Sequence, residues 1–164
     1  MWNAIIRKFT NLLYFVPLKL RQFRSEHPDE RVIVAGGSKA RKLDGDQEIE
    51  RGLGWVFAKR ATLILSDRAI ICGSWTIPLS SIDDATLLRT SGMFSEAFVL
   101  KVATNSGEHY QFGLPYDPRW EEQNVLEANV DETEIAYSMF SLAIRILLVA
   151  FIVWQMVELV GLEV

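Results

Sequence analysis

The stretch TLILSDRAIICGSWTIPL, residues 62–79, holds three short apolar runs, at 62–65, 69–72 and 76–79, separated by Ser66-Asp67-Arg68 and Gly73-Ser74. The runs have strand composition and the interruptions have turn composition, so the stretch reads as consecutive β-strands joined by tight turns. Working outward, the same signal recurs at 85–88, 97–102 and 109–112, with Asn105-Ser106-Gly107 as a further turn, and upstream at 31–35 and 55–57. Gly36-Gly37-Ser38 reads as a break after the first strand, and 39–50, rich in charge and poor in apolar residues, reads as a loop. Many short strands without intervening helices predict a meandering antiparallel sandwich or barrel over residues 25–130.

Several of these motifs fall in a known order. Thr62-Leu63-Ile64-Leu65-Ser66-Asp67-Arg68-Ala69-Ile70-Ile71, then Thr76-Ile77-Pro78-Leu79-Ser80-Ser81-Ile82, then Leu100-Lys101-Val102, Gly107-Glu108 and Tyr110-Gln111-Phe112 resemble GRAM-like and bacterial members of the pleckstrin-homology superfamily, with Ser66 where a threonine is usual. The resemblance covers about residues 30–127. It implies a bent antiparallel barrel of about seven strands closed by a C-terminal capping helix, a mainly β fold with flanking α. Asp117-Pro118 suits the start of that helix, and Trp120 stands where the superfamily's capping helix often plants a tryptophan. Residues 127–134 are acidic and read as a linker.

Residues 1–24 precede the domain as an amphipathic helix. Trp2, Ile5, Ile6, Phe9, Leu12, Leu13, Val16, Leu20 and Phe23 project within about 120° of arc, with Arg7, Lys8, Asn11, Lys19, Arg21 and Gln22 outside it. Trp2, Ile5, Phe9 and Leu13, flanked by Arg7, Lys8, Lys19 and Arg21, suit a helix lying in a membrane interface; packing of the same stripe on the domain or a partner is the competing reading. Pro17 should kink the helix near Val16.

Residues 131–164 hold an acidic linker and the long apolar run IAYSMFSLAIRILLVAFIVWQMVELV, 135–160, which exceeds the roughly 20 residues needed to cross a bilayer. A transmembrane helix over about 135–158 is therefore expected, with Tyr137 and Trp154 at opposite interfaces. Ser138, Ser141, Arg145 and Gln155 project to one side as a polar seam, expected to dock against other transmembrane subunits. The N-terminal segment carries five basic and no acidic side chains, and only Glu158 and Glu163 lie near the C-terminus, which places the domain on the cytoplasmic side of a cell (inner) membrane with a single pass.

The remaining composition excludes more than it identifies. A formal charge of −4 and a nearly balanced middle segment argue against nucleic acid as a partner. The lone Cys72 permits no internal disulfide and reads as a small buried hydrophobe. His27 and His109 have no second ligand at metal spacing, Gly36-Gly37-Ser38-Lys39 lacks the first glycine of a phosphate loop, Gly52-Leu53-Gly54 precedes a strand, and Asp83-Asp84 reads as a solvated strand edge. No catalytic, cofactor or metal residue is assigned, and no soluble small-molecule substrate is expected. Lys39, Arg41, Lys42, Lys59, Arg60 and Arg68 are candidate headgroup or partner contacts, offset by Asp44, Asp46, Glu48 and Glu50. Membrane lipid is an expected partner. Two functions follow: a non-catalytic accessory or assembly subunit of a membrane complex, or a membrane-tethered adaptor that senses lipid headgroups.

Overall fold

The computed structural model describes residues 2–43, 45, 58–91, 95–133 and 155. Two helices come first, α1 (Trp2–Leu13) and α2 (Val16–Glu26). Then follow β1 (Val32–Leu43), β2 (Lys59–Ser66), β3 (Ala69–Cys72), β4 (Trp75–Pro78), a 3-10 turn (Leu79–Ser81), β5 (Ile82–Ser91), β6 (Glu96–Thr104), β7 (His109–Pro115), a one-turn helix α3 (Arg119–Glu122) and β8 (Asn129–Thr133).

The strands form one sheet in the order β4-β3-β2-β1-β7-β6-β5-β8. All neighbours are antiparallel except β5 and β8, which run parallel with Leu87 opposite Val130. The result is a curled, mixed half-barrel with β4 and β8 at its edges. The mainly β class with flanking helices is as expected. The seven-stranded antiparallel barrel is corrected to eight described strands, because the acidic stretch read as a linker adds a parallel strand. Its acids do not oppose this: Asp131 and Glu132 sit on a sheet edge where water solvates them.

The turns form for local reasons. Ser66 Oγ accepts from the backbone N–H groups of Ala69 at 3.0 Å and Arg68 at 3.2 Å, closing the β2–β3 hairpin. Gly73 at φ 62° and Gly107 at φ 79° supply the left-handed positions of the β3–β4 and β6–β7 hairpins. Alternation along the strands then divides the faces. Val34, Leu63, Leu65, Ile70, Phe98 and Phe112 are among the side chains that fill the inner face. Trp120, 2% exposed, caps that core from α3. The helix carrying it, where a C-terminal capping helix is expected, is only four residues long.

On the outer face, α2 sets Val16 and Phe23 against Ala35 and Ile64. The single kinked helix expected over residues 1–24 is two helices, since Phe15 adopts a left-handed conformation at φ 54°. Pro17 then falls in the first turn of α2, where its missing N–H costs no helical bond. This break rotates the two halves of the apolar stripe apart. Val16, Leu20 and Phe23 turn into the sheet; Trp2, Ile5, Phe9, Leu12 and Leu13 remain outside.

Gly36 and Gly37 interrupt nothing, because β1 runs straight through them to Leu43. Gly37 allows close approach: α1 crosses β1 here, and Gly37 N–H donates to Asn11 Oδ1 at 3.0 Å. A Cβ on Gly37 would meet Thr10 Cγ2 at 2.9 Å and the Tyr14 ring at 3.0 Å. Gly37→Val is therefore expected to lift α1 from the sheet and cost about 1–3 kcal/mol. Faster amide exchange in α1 than in β6 is the signature to look for, with lower stability in urea.

No helix among the described residues is long and apolar enough to cross a membrane. The span expected over 135–158 lies outside the described residues apart from Gln155, which is helical and exposed. The C-terminal transmembrane anchor is accordingly not supported and is withdrawn. The strand expected at 55–57 also lies outside the described residues, as does the part of the expected 39–50 loop beyond Leu43, Gly45 excepted.

Candidate functional site

Helix α1 presents its polar side to the protein and its apolar side to the surroundings. Asn3, Arg7 and Asn11 recur every fourth residue and so form one row along the helix. Asn3 Nδ2 donates to Glu96 Oε2 at 3.0 Å, and its Oδ1 accepts from Glu96 N–H at 3.2 Å. Arg7 Nη1 lies 2.8 Å from Asp117 Oδ1. Asn11 holds Gly37 as described above. These three contacts latch α1 across β1, the start of β6 and the segment after β7.

Asp117 is the buried member of this latch. Burial alone raises a carboxyl pKa, but the Arg119 guanidinium, 2.6 Å away through Nη2, donates to it together with the Arg119 backbone, and the Arg7 charge adds to this. The net result holds Asp117 below the usual carboxylate range. A depressed native pKa stabilises the fold above the unfolded value, and that contribution is lost as pH falls below about 4. Asp117→Asn is expected to cost about 2 kcal/mol at neutral pH. The gap from wild type in urea unfolding should close as the pH is lowered through that range.

With the polar row turned inward, the apolar stripe is left outside. Trp2, Ile5, Phe9, Leu12 and Leu13 are 50–71% exposed, and Phe15 and Leu18 continue the surface into α2. Seven of the eight exposed large hydrophobic residues in the described structure thus fall within residues 2–18, the eighth being Val130. A contiguous apolar surface of this kind marks a contact site, whereas scattered single residues do not. Of the predicted interface residues, Trp2, Ile5, Phe9 and Leu13 face outward, Lys8, Lys19 and Arg21 are exposed beside them, and Arg7 is committed to Asp117. Tyr137, Trp154 and the seam residues Ser138, Ser141 and Arg145 lie outside the described residues.

The six basic candidates separate. Lys39, Lys59 and Arg60 come together on a crevice of the outer face, joined by Lys19. Arg41 donates to Gln111 Oε1 through Nε at 3.0 Å and Nη2 at 2.6 Å. Lys42 pairs with Glu108, which raises the ammonium pKa and lowers that of the carboxylate. Arg68 sits in the β2–β3 turn. Sequence reasoning missed the latch acids Glu96 and Asp117, which lie 93 and 110 positions from their partners on α1. The regular spacing of Asn3, Arg7 and Asn11 was the available signal.

Among the described residues no three His, Cys, Asp or Glu side chains are placed to hold a metal ion. Cys72 lies buried in the inner core, where desolvation pushes its thiol up to about 11 despite the nearby Lys59 charge, so little of it is nucleophilic thiolate near neutral pH. No family model matches the chain and no curated protein matches its sequence. The resemblance to the pleckstrin-homology superfamily is therefore not supported, and the mixed half-barrel departs from the closed antiparallel barrel it implied.

Proposed function

We propose that the protein is a non-catalytic module that docks onto an anionic membrane surface through the outward face of α1. The observation that carries this reading is the orientation of the helix, polar row latched inward and apolar residues outward. Charge favours lipid as the occupant. Every charged side chain from residue 2 to residue 24 is basic, and Lys8, Lys19, Arg21 and Arg24 are exposed. Bulky Trp, Phe, Leu and Ile with flanking Lys and Arg suit the boundary between headgroups and acyl chains, and the positive excess suits the cytoplasmic leaflet. The accessory-subunit reading drew on the tail seam, which gains no support from the described residues, so the proposal is limited to surface docking.

Trp2 offers a direct test in the full chain. Vesicles containing phosphatidylserine with brominated acyl chains should quench tryptophan emission, and Trp2→Phe should remove most of the quenched component. Equal quenching in both proteins, or none in either, contradicts the reading. Absence of quenching together with a stable complex between copies of the chain assigns the surface to protein contact instead.

A further inference from the structure

Two sets of described cations contrast. Arg7, Lys42, Arg89 and Arg119 each have a carboxylate partner. Lys19, Lys39, Lys59 and Arg60, which border a crevice of about 950 Å³ between α2 and the outer face of β2, have none among the described residues. Lys39 and Arg60 stand directly opposite one another on β1 and β2. Like charges placed this way repel, and nothing in the described structure offsets them.

Lys59 and Lys19 are held only by neutral groups. Lys59 Nζ donates to Ser74 Oγ at 2.8 Å and lies 5.0 Å from the centre of the Trp75 ring. Lys19 Nζ donates to Gln22 Oε1 at 3.3 Å. Glu26, the acid that borders the crevice, accepts from Gln22 Nε2 at 2.8 Å. Phe15 precedes α2 without a side-chain cap, so the positive end of an eleven-residue helix adds to the same field. Leu13 and Phe15, two of the outward apolar residues, also line the crevice.

We propose that this crevice receives the phosphate group of an anionic lipid, with the opposed Lys39 and Arg60 as its main contacts and Lys19 adding to the positive lining. The assignment rests on the membrane reading of α1. A soluble phosphate ester offers the same charged group, but Leu13 and Phe15 make the crevice continuous with the surface that meets the acyl chains. Binding then relieves the cross-strand repulsion.

The test uses the full chain with two kinds of vesicle, phosphatidylcholine alone and phosphatidylcholine with one part in four phosphatidic acid. Inorganic phosphate and glycerol 3-phosphate serve as soluble probes. The wild type should prefer the phosphatidic acid vesicles at least tenfold. Lys39→Gln with Arg60→Gln should bring the preference to within twofold while leaving phosphatidylcholine binding unchanged. Its melting temperature in phosphate-free buffer should equal or exceed that of the wild type, since a repulsion is removed. Phe9→Ser with Leu12→Ser should instead weaken binding to both vesicles, separating failure of the helix from failure of the crevice.

A folded double variant that keeps its preference overturns the proposal. So does a wild type stabilised by the soluble probes but indifferent to phosphatidic acid, which assigns the crevice to a free phosphate compound. A wild type that binds neither vesicle overturns the membrane reading and the lipid assignment together. If the double variant does not fold, Lys39→Gln alone should lower the preference at least threefold, and an unchanged preference is again contrary.

Discussion

On the proposed membrane docking, replacing Phe9 and Leu12 with serine should lower the affinity of α1 for lipid by about 10²–10⁴-fold. Each side chain leaves water for the acyl boundary on docking, and burying a large apolar side chain is worth about 1.5–3 kcal/mol. Loss of two such contributions, about 3–6 kcal/mol together, corresponds to that change in affinity. Both residues are largely exposed, so the folded domain should not be destabilised by more than about 0.5 kcal/mol. A nitroxide attached at Ile5→Cys reports the inserted fraction as lipid is added, in the stripe background and in the double-serine background. The opposite result, large destabilisation with unchanged insertion, is expected if the stripe is an internal packing surface.

Trp120→Ala is the second large effect, with a loss of about 3–5 kcal/mol of folding stability. The indole belongs to the inner core although its helix has a single turn, so helix propensity contributes almost nothing to holding it. Packing on the curled sheet does. Urea unfolding should show the midpoint falling with little change in slope, whereas a superficial tryptophan gives a change below about 1 kcal/mol.

The strand pattern was legible where apolar runs were dense. Ala69–Cys72 is found with the expected ends, β4 keeps its expected length but is shifted by one residue, and β2, β5, β6 and β7 extend the expected cores by up to three residues at an end. Failures occurred where a residue's usual local meaning gave way to its neighbours. Gly36-Gly37-Ser38 reads as a break, yet the strand runs through it and Gly37 makes room for a helix whose position sequence does not reveal. Lys39, Arg41 and Lys42 looked like loop charge, but strand pairing with β2 and β7 places them in β1. Asn129–Thr133 carries acids that an edge strand tolerates and that pattern reading assigns to a linker.

The stripe on residues 2–23 shows a further limit. Helical spacing correctly grouped its members but carried no information on which way they face. One non-glycine residue in a left-handed conformation, Phe15, sends Val16 and Phe23 into the protein and leaves Phe9 and Leu12 outside it. The basic crevice was legible only as a list of cations. Strand register, setting Lys39 against Arg60, brings two of them together.

Spin-label depth at position 9 tests the outward reading of α1 most directly. A nitroxide on Phe9→Cys in the full chain can be placed selectively, because Cys72 is buried with its thiol pushed up to about 11. With anionic vesicles the label should become more accessible to oxygen than to a water-soluble nickel chelate, at about 5–10 Å below the headgroup boundary. A label at Lys8→Cys, on the flank of the stripe, should stay accessible to the chelate. A position 9 label shielded from both reagents before lipid is added, or still open to the chelate once vesicles are present in excess, contradicts the account.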